Sequence, residues 1–223
     1  MKKWFSFLMA VVMSTAVLSA QTQKEVIKER KEMQKFTKSE LNARASKDAR
    51  KQARQLKREG WKVAPGHLPL EKQLDRSYQM QYEFEDNGMP KYLYADVMSI
   101  GESYDAAKFQ ALEIAKLELA GLAQTDVVAL VESRIGNEQL SKEQAASISE
   151  TVASSKNLIA KKMGRILTVV ECYRTKNTKN QEVRLMVFYN AKMAAESAKA
   201  AIREELSKKG EELSNQLDQL LGF

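Results

Sequence analysis

The chain has 223 residues, with 36 Lys or Arg against 29 Asp or Glu and a formal charge of +7. A single Cys, Cys172, excludes an internal disulfide framework, and a single His, His67, excludes a multi-histidine metal centre. Its nine glycines are scattered singly, so there is no Gly-rich phosphate cradle.

The N-terminus, MKKWFSFLMAVVMSTAVLSA, sets Lys2 and Lys3 ahead of an apolar run from Trp4 to Val12, with small residues up to Ala20. That is the layout of a secretory signal peptide over residues 1–20, cleaved after Ala20 or after Ala16. The run falls short of the roughly 20 residues a spanning helix needs. No Cys lies near either site, which excludes attachment by the bacterial lipoprotein route.

Residues 21–60 read as a basic helical arm. Between Lys24 and Glu59 there are thirteen Lys or Arg against six Asp or Glu, and neither Gly nor Pro. Thr37 and Glu40 have capping-box spacing, so a break or a second helix is expected there. Leu41, Ala45, Ala49, Ala53 and Leu56 form an apolar stripe too thin for a full core face. Arg50, Lys51, Arg54 and Lys57 are the arm's candidate contacts with an anionic surface.

Residues 61–190 read as an α+β domain. GWKVAPGHLP, Gly60 to Pro69, is punctuated by Pro65, Gly66 and Pro69. His67 lies inside it without a nucleophile or second-ligand signature, and is read as part of a structural connector. Its clustering with acidic side chains at the bottom of a cleft would count against a non-enzymatic protein altogether. A short helix, Leu70 to Asp75, is expected next. Tyr78, Met80, Tyr82 and Phe84 then alternate with polar residues as in a half-buried strand. Asp86-Asn87-Gly88 is turn chemistry, and Lys91 to Ile100 reads as the partner strand of a hairpin.

A long Ala-rich helix begins near Tyr104, with Ala107, Ala111, Ile114, Ala115, Leu119 and Leu122 on its apolar side and Glu118 beside the arc. It continues through Val127–Ile135 and ends at Gly136-Asn137. Ser141 and Gln144 open another helix with a capping box, running to about Met163. Arg165–Thr175 and Glu182–Tyr189 read as a second hairpin about the loop Lys176–Asn180. Cys172 within it is read as a buried small hydrophobe. Residues 191–223 read as one C-terminal amphipathic helix. Ile202, Leu206, Leu213, Leu217 and Leu220 keep a seven-residue rhythm that suggests packing along another helix, the basic N-terminal one being a candidate. The expected fold is therefore α+β: a four-stranded antiparallel sheet from two hairpins, packed on helices, with long terminal helices as appendages.

The stretches YLYADVMSIGESYDAAKFQALEIAKLELAGLAQTDVVALVES and RILTVVECYRTKNTKNQEVRLMVFYN resemble the small envelope lipoprotein domain family typified by the Lpp-twenty antigen. They resemble more closely the exported proteins of Bacteroidota. The resemblance covers roughly residues 78–190: a strand, a Gly, an Ala-rich helix and a hairpin. It implies a compact envelope domain without catalysis. The family's lipidated Cys is missing here.

These readings lead to an exported, non-enzymatic envelope protein of the periplasm or outer envelope, acting as a binding or assembly module without catalytic residues, cofactor or metal. The expected partners are a protein, a second copy, or an anionic membrane surface. Phe36 is the only aromatic in the basic arm, which argues against nucleic acid. The alternatives are a hydrolase whose carboxylates assemble only in the fold, and a peripheral binder acting through the arm.

Overall fold

The computed structural model describes Lys28, Lys31 and residues 44–135, 140–176 and 179–221. The chain divides into two units between Arg44 and Ala45. In the first, Lys28 and Lys31 are helical and exposed. The signal-peptide stretch, the Thr37–Glu40 box, Leu41 and Gly136-Asn137 lie outside the described residues. The rest of this section concerns the second unit, an α+β fold.

Three strands form its sheet: β1 (Tyr92–Gly101), β2 (Leu167–Lys176) and β3 (Asn180–Asn190), in the order β1-β3-β2. Both pairings are antiparallel, with Val97 opposite Leu185, Cys172 opposite Arg184, and a bulge between Thr168 and Val170. The expected fourth strand at Tyr78–Phe84 is absent. Helix α1 (Lys47–Arg58) is followed by α2 (Leu70–Gln81), which runs through most of that segment. Leu70, Gln73, Leu74, Ser77 and Met80 are buried at helical spacing. Met80 is buried on either periodicity, so the short alternation misleads. Tyr82 and Phe84, expected to face the core, are exposed. What remains of the first hairpin is a single Phe84–Pro90 bridge around the turn at Gly88, whose φ is 78°.

Both faces of the sheet are covered. On one, Ala95, Val97, Val183, Leu185 and Val187 share a core with Ala107, Ala111, Ala115 and Leu119 of α3 (Tyr104–Ile135). Alanine brings this helix close to the strands. A Cβ on Gly101 would sit 2.6 Å from the Ala107 backbone nitrogen, so glycine is required at that approach. On the other face, Val170, Cys172, Met186 and Phe188 pack with Leu70, Leu74, Trp61, Ala49, Ala53 and Leu56. The thin stripe of α1 is thus core, and α1 is not an appendage.

The helix expected to run to Met163 is two, α4 (Lys142–Ser154) and α5 (Lys156–Lys162). Its capping box is present, with Ser141 Oγ accepting from the Gln144 N–H and Gln144 Oε1 from the Ser141 N–H. The single C-terminal helix is also two, α6 (Ala191–Lys209) and α7 (Glu211–Leu221). The chain turns back at Gly210, so Arg203 pairs with Asp218 at 2.9 Å. Arg134 of α3 donates to the Leu220 carbonyl at 2.9 Å. Ile202, Leu206, Leu217 and Leu220 are buried in the α3 core. Their seven-residue rhythm therefore serves a helical hairpin packed on α3. Among the described residues no helix is long and apolar enough to cross a membrane.

Candidate functional site

The connector after α1 does more than join helices. Lys62 and Tyr173 exchange two backbone hydrogen bonds of 2.8 Å, which seats the connector on the outer edge of β2. Trp61 is buried, and the Arg174 guanidinium lies 4.4 Å from its ring centroid. From this anchor the chain passes over Pro65 and Gly66 to His67, above the start of β2.

There it meets Glu171. The carboxylate projects into a cleft of about 580 Å³ bounded by His67 and Leu68, by Gln73 and Arg76 of α2, by Lys108, Leu112 and Lys116 of α3, and by residues 164–169. Lys108, Leu112 and Lys116 recur every four residues, so one face of α3 forms a wall. The Glu171 side chain is only 6% exposed. A buried carboxylate is retained only when it is paired and hydrogen-bonded. Here Tyr104 donates its hydroxyl to Glu171 Oε1 and Lys108 Nζ lies 2.7 Å from the same oxygen. His67 Nε2 stands 3.6 Å from Oε2, within ion-pair reach but beyond a hydrogen bond. Gln73 ties the cluster to α2, accepting from the Glu171 N–H at 2.7 Å and donating to the Leu68 carbonyl at 2.6 Å.

The connector reading of His67 is therefore incomplete, since the residue stands beside a buried acid in a cleft. Its side chain is 42% exposed and lies at the rim. Glu118 is exposed, as expected at the edge of the α3 apolar arc. Cys172 is fully buried, and burial pushes its thiol up to about 12, so it carries no thiolate at neutral pH. Burial also raises the Tyr104 hydroxyl, helped by its hydrogen bond to Glu171 and by that residue's charge. Both groups hold their protons more tightly folded than unfolded. Their contribution is complete below the unfolded values and is lost as pH rises through the folded ones. Unfolding midpoints should accordingly fall above about pH 9–10, and Tyr104→Phe should flatten the part of that fall due to Tyr104. An unchanged alkaline slope in Tyr104→Phe would refute its role.

The four basic candidates separate. Arg50, Arg54 and Lys57 line a shallow groove with Ala53 and Glu71, while Lys51 lies exposed outside it. Lys57 is paired with Glu71 at 3.0 Å, and Arg50 bonds the Ala45 carbonyl at 3.0 Å. Among the described residues no three His, Cys, Asp or Glu side chains converge as a metal site.

The chain matches no known protein family, curated protein or solved structure. The likeness to envelope lipoprotein domains rests on the quoted stretches alone. Sequence reasoning missed Glu171, Tyr104, Lys108 and Gln73. One signal was available: Glu171 is a lone carboxylate in the apolar run Leu167–Tyr173, where both neighbours are buried.

Proposed function

We propose that the chain is an exported, non-enzymatic binding module of the cell envelope, whose working surface is the cleft beside β2 and whose ligand is anionic. The signal-peptide layout of residues 1–20 supports export to the periplasm or outer envelope. One observation carries the binding reading. Arg76, Lys108, Lys116 and Arg165 converge on a cleft whose buried carboxylate is already paired with Lys108. Among the described residues, Arg76, Lys116 and Arg165 have no carboxylate partner, and Glu113 is the only other acid in the lining. A concave surface with surplus charge of one sign concentrates counter-ions of the other. Glu171 positions Lys108 and Tyr104, both of which its Oε1 holds.

Calorimetry with citrate as probe tests this. Binding should weaken as salt rises, and the double reversal Lys116→Glu, Arg165→Glu should cost at least about tenfold in Kd, roughly 1.4 kcal/mol. Reversal at Arg50, Lys51, Arg54 and Lys57 should change nothing. Loss confined to that second variant would move the working surface to the arm. The His67–Glu171 juxtaposition favours one other reading, a hydrolase. Turnover of an ester or peptide panel, abolished in His67→Ala, would establish it and displace the binding module.

A further inference from the structure

The backbone that borders the cleft narrows the ligand's class, on the reading that the cleft binds anions. β2 ends the sheet, so one side of its backbone has no strand beside it. Two sets of bonds show which groups turn outward: Tyr173 bonds Lys62 in both directions, and the Glu171 N–H donates to Gln73 Oε1. Backbone groups of an antiparallel strand alternate in direction, and the bulge resets the alternation so that Thr168, opposite Val187, also turns outward. Among the described residues nothing pairs with this edge between Ile166 and Val169. The cleft opens along that stretch, with Leu167 and Leu68 exposed in its wall.

An unpaired edge is a template for another strand. Its neighbours decide which strand. The chain's own residues 24–43 hold six Lys or Arg against four Glu, the wrong sign for this cleft. A second copy would set one cationic cleft against another. We propose that an extended acidic peptide segment of a partner protein adds to β2 as a fourth strand at Ile166–Val169, its carboxylates meeting Arg76, Lys116 and Arg165. Main-chain bonds to the edge supply register, and alternate side chains reach the cleft walls. The open stretch accommodates about four to six residues.

The probe is the capped hexapeptide acetyl-Glu-Val-Glu-Val-Glu-Val-amide, titrated against the mature chain by calorimetry with citrate as competitor. N-methylating the peptide's edge-facing amides should weaken binding at least about tenfold, as should Thr168→Pro, because proline on an edge removes an outward donor without breaking the β3 ladder. If Thr168→Pro fails to fold, the methylated peptide and hydrogen exchange at the Thr168 amide, slowed only when peptide is bound, still decide the matter. Equal affinity for a Lys-Val counterpart overturns the acidic ligand, and equal affinity for the methylated peptide overturns strand addition. So does a Thr168 amide already protected in the free chain, whether by its own segment or by a second copy. Citrate binding without peptide binding refutes the strand and leaves the anion cleft standing; binding of neither refutes both.

Discussion

Phe188→Ala is expected to cost about 4 kcal/mol of unfolding free energy, enough to lower Tm by about 10 °C. Phe188 lies on the central strand, is 1% exposed, and belongs to the core that joins α1 and α2 to the sheet. Tyr94 stacks on it at 5.7 Å between ring centroids, and Tyr92 meets it edge-on at 6.4 Å. Truncation removes the transfer energy of the ring and leaves a cavity between Leu70, Leu74 and the strands, where backbone on both sides limits collapse. Phe188→Leu, which retains most of the volume, should cost less than half as much. Denaturant unfolding with hydrogen exchange checks both the size and the place of the loss. Amides of α1 and α2 should exchange faster first. A loss below about 1 kcal/mol would mean that these helices are not docked on the sheet through Phe188.

That core was half legible. The alternation of Val183, Leu185, Val187 and Tyr189 identifies the α3-facing side of β3, where pairing with β1 and β2 on both sides holds the segment extended. Burial of Met186 and Phe188 on the opposite side depends on α1 and α2 arriving from distant sequence. The Ser141–Gln144 box was readable because capping closes within four residues. Tyr78–Phe84 carries an alternation of the same length, but packing of Leu70, Leu74 and Met80 holds its first half as helix. The leucine rhythm after Ala191 does mark packing along a helix, but the partner is α3 and not the basic arm, and Gly210 folds the segment back on itself. The cleft was least legible. Its members come from positions 67, 73, 104, 108 and 171 and share no local motif, so only the tertiary fold unites them. His67 stands out as the chain's only histidine, whereas Glu171 is one of 29 acidic residues.

Glu171→Ala is expected to cost about 3 kcal/mol, the range for removing one partner of a buried ion pair. Lys108 would keep its charge in a partly buried position with no carboxylate in reach, and Tyr104 would lose its acceptor. The Glu171 backbone N–H would still hold Gln73, so α2 should stay in place. Glu171→Gln preserves shape and an acceptor for Tyr104, and should cost about 1–2 kcal/mol. A double-mutant cycle with Lys108→Met separates the ion pair from the remainder, and a coupling of at least about 1 kcal/mol is expected. The same variants distinguish a structural acid from a recognition scaffold. If Glu171 only maintains the fold, Glu171→Gln leaves citrate affinity at its starting value under folded conditions. If it aims Lys108 into the cleft, the freed ammonium shifts, and affinity changes even where stability is nearly intact. A coupling near zero would show that Lys108 and Glu171 are adjacent without depending on each other, and the preorganised cleft would lose its physical basis.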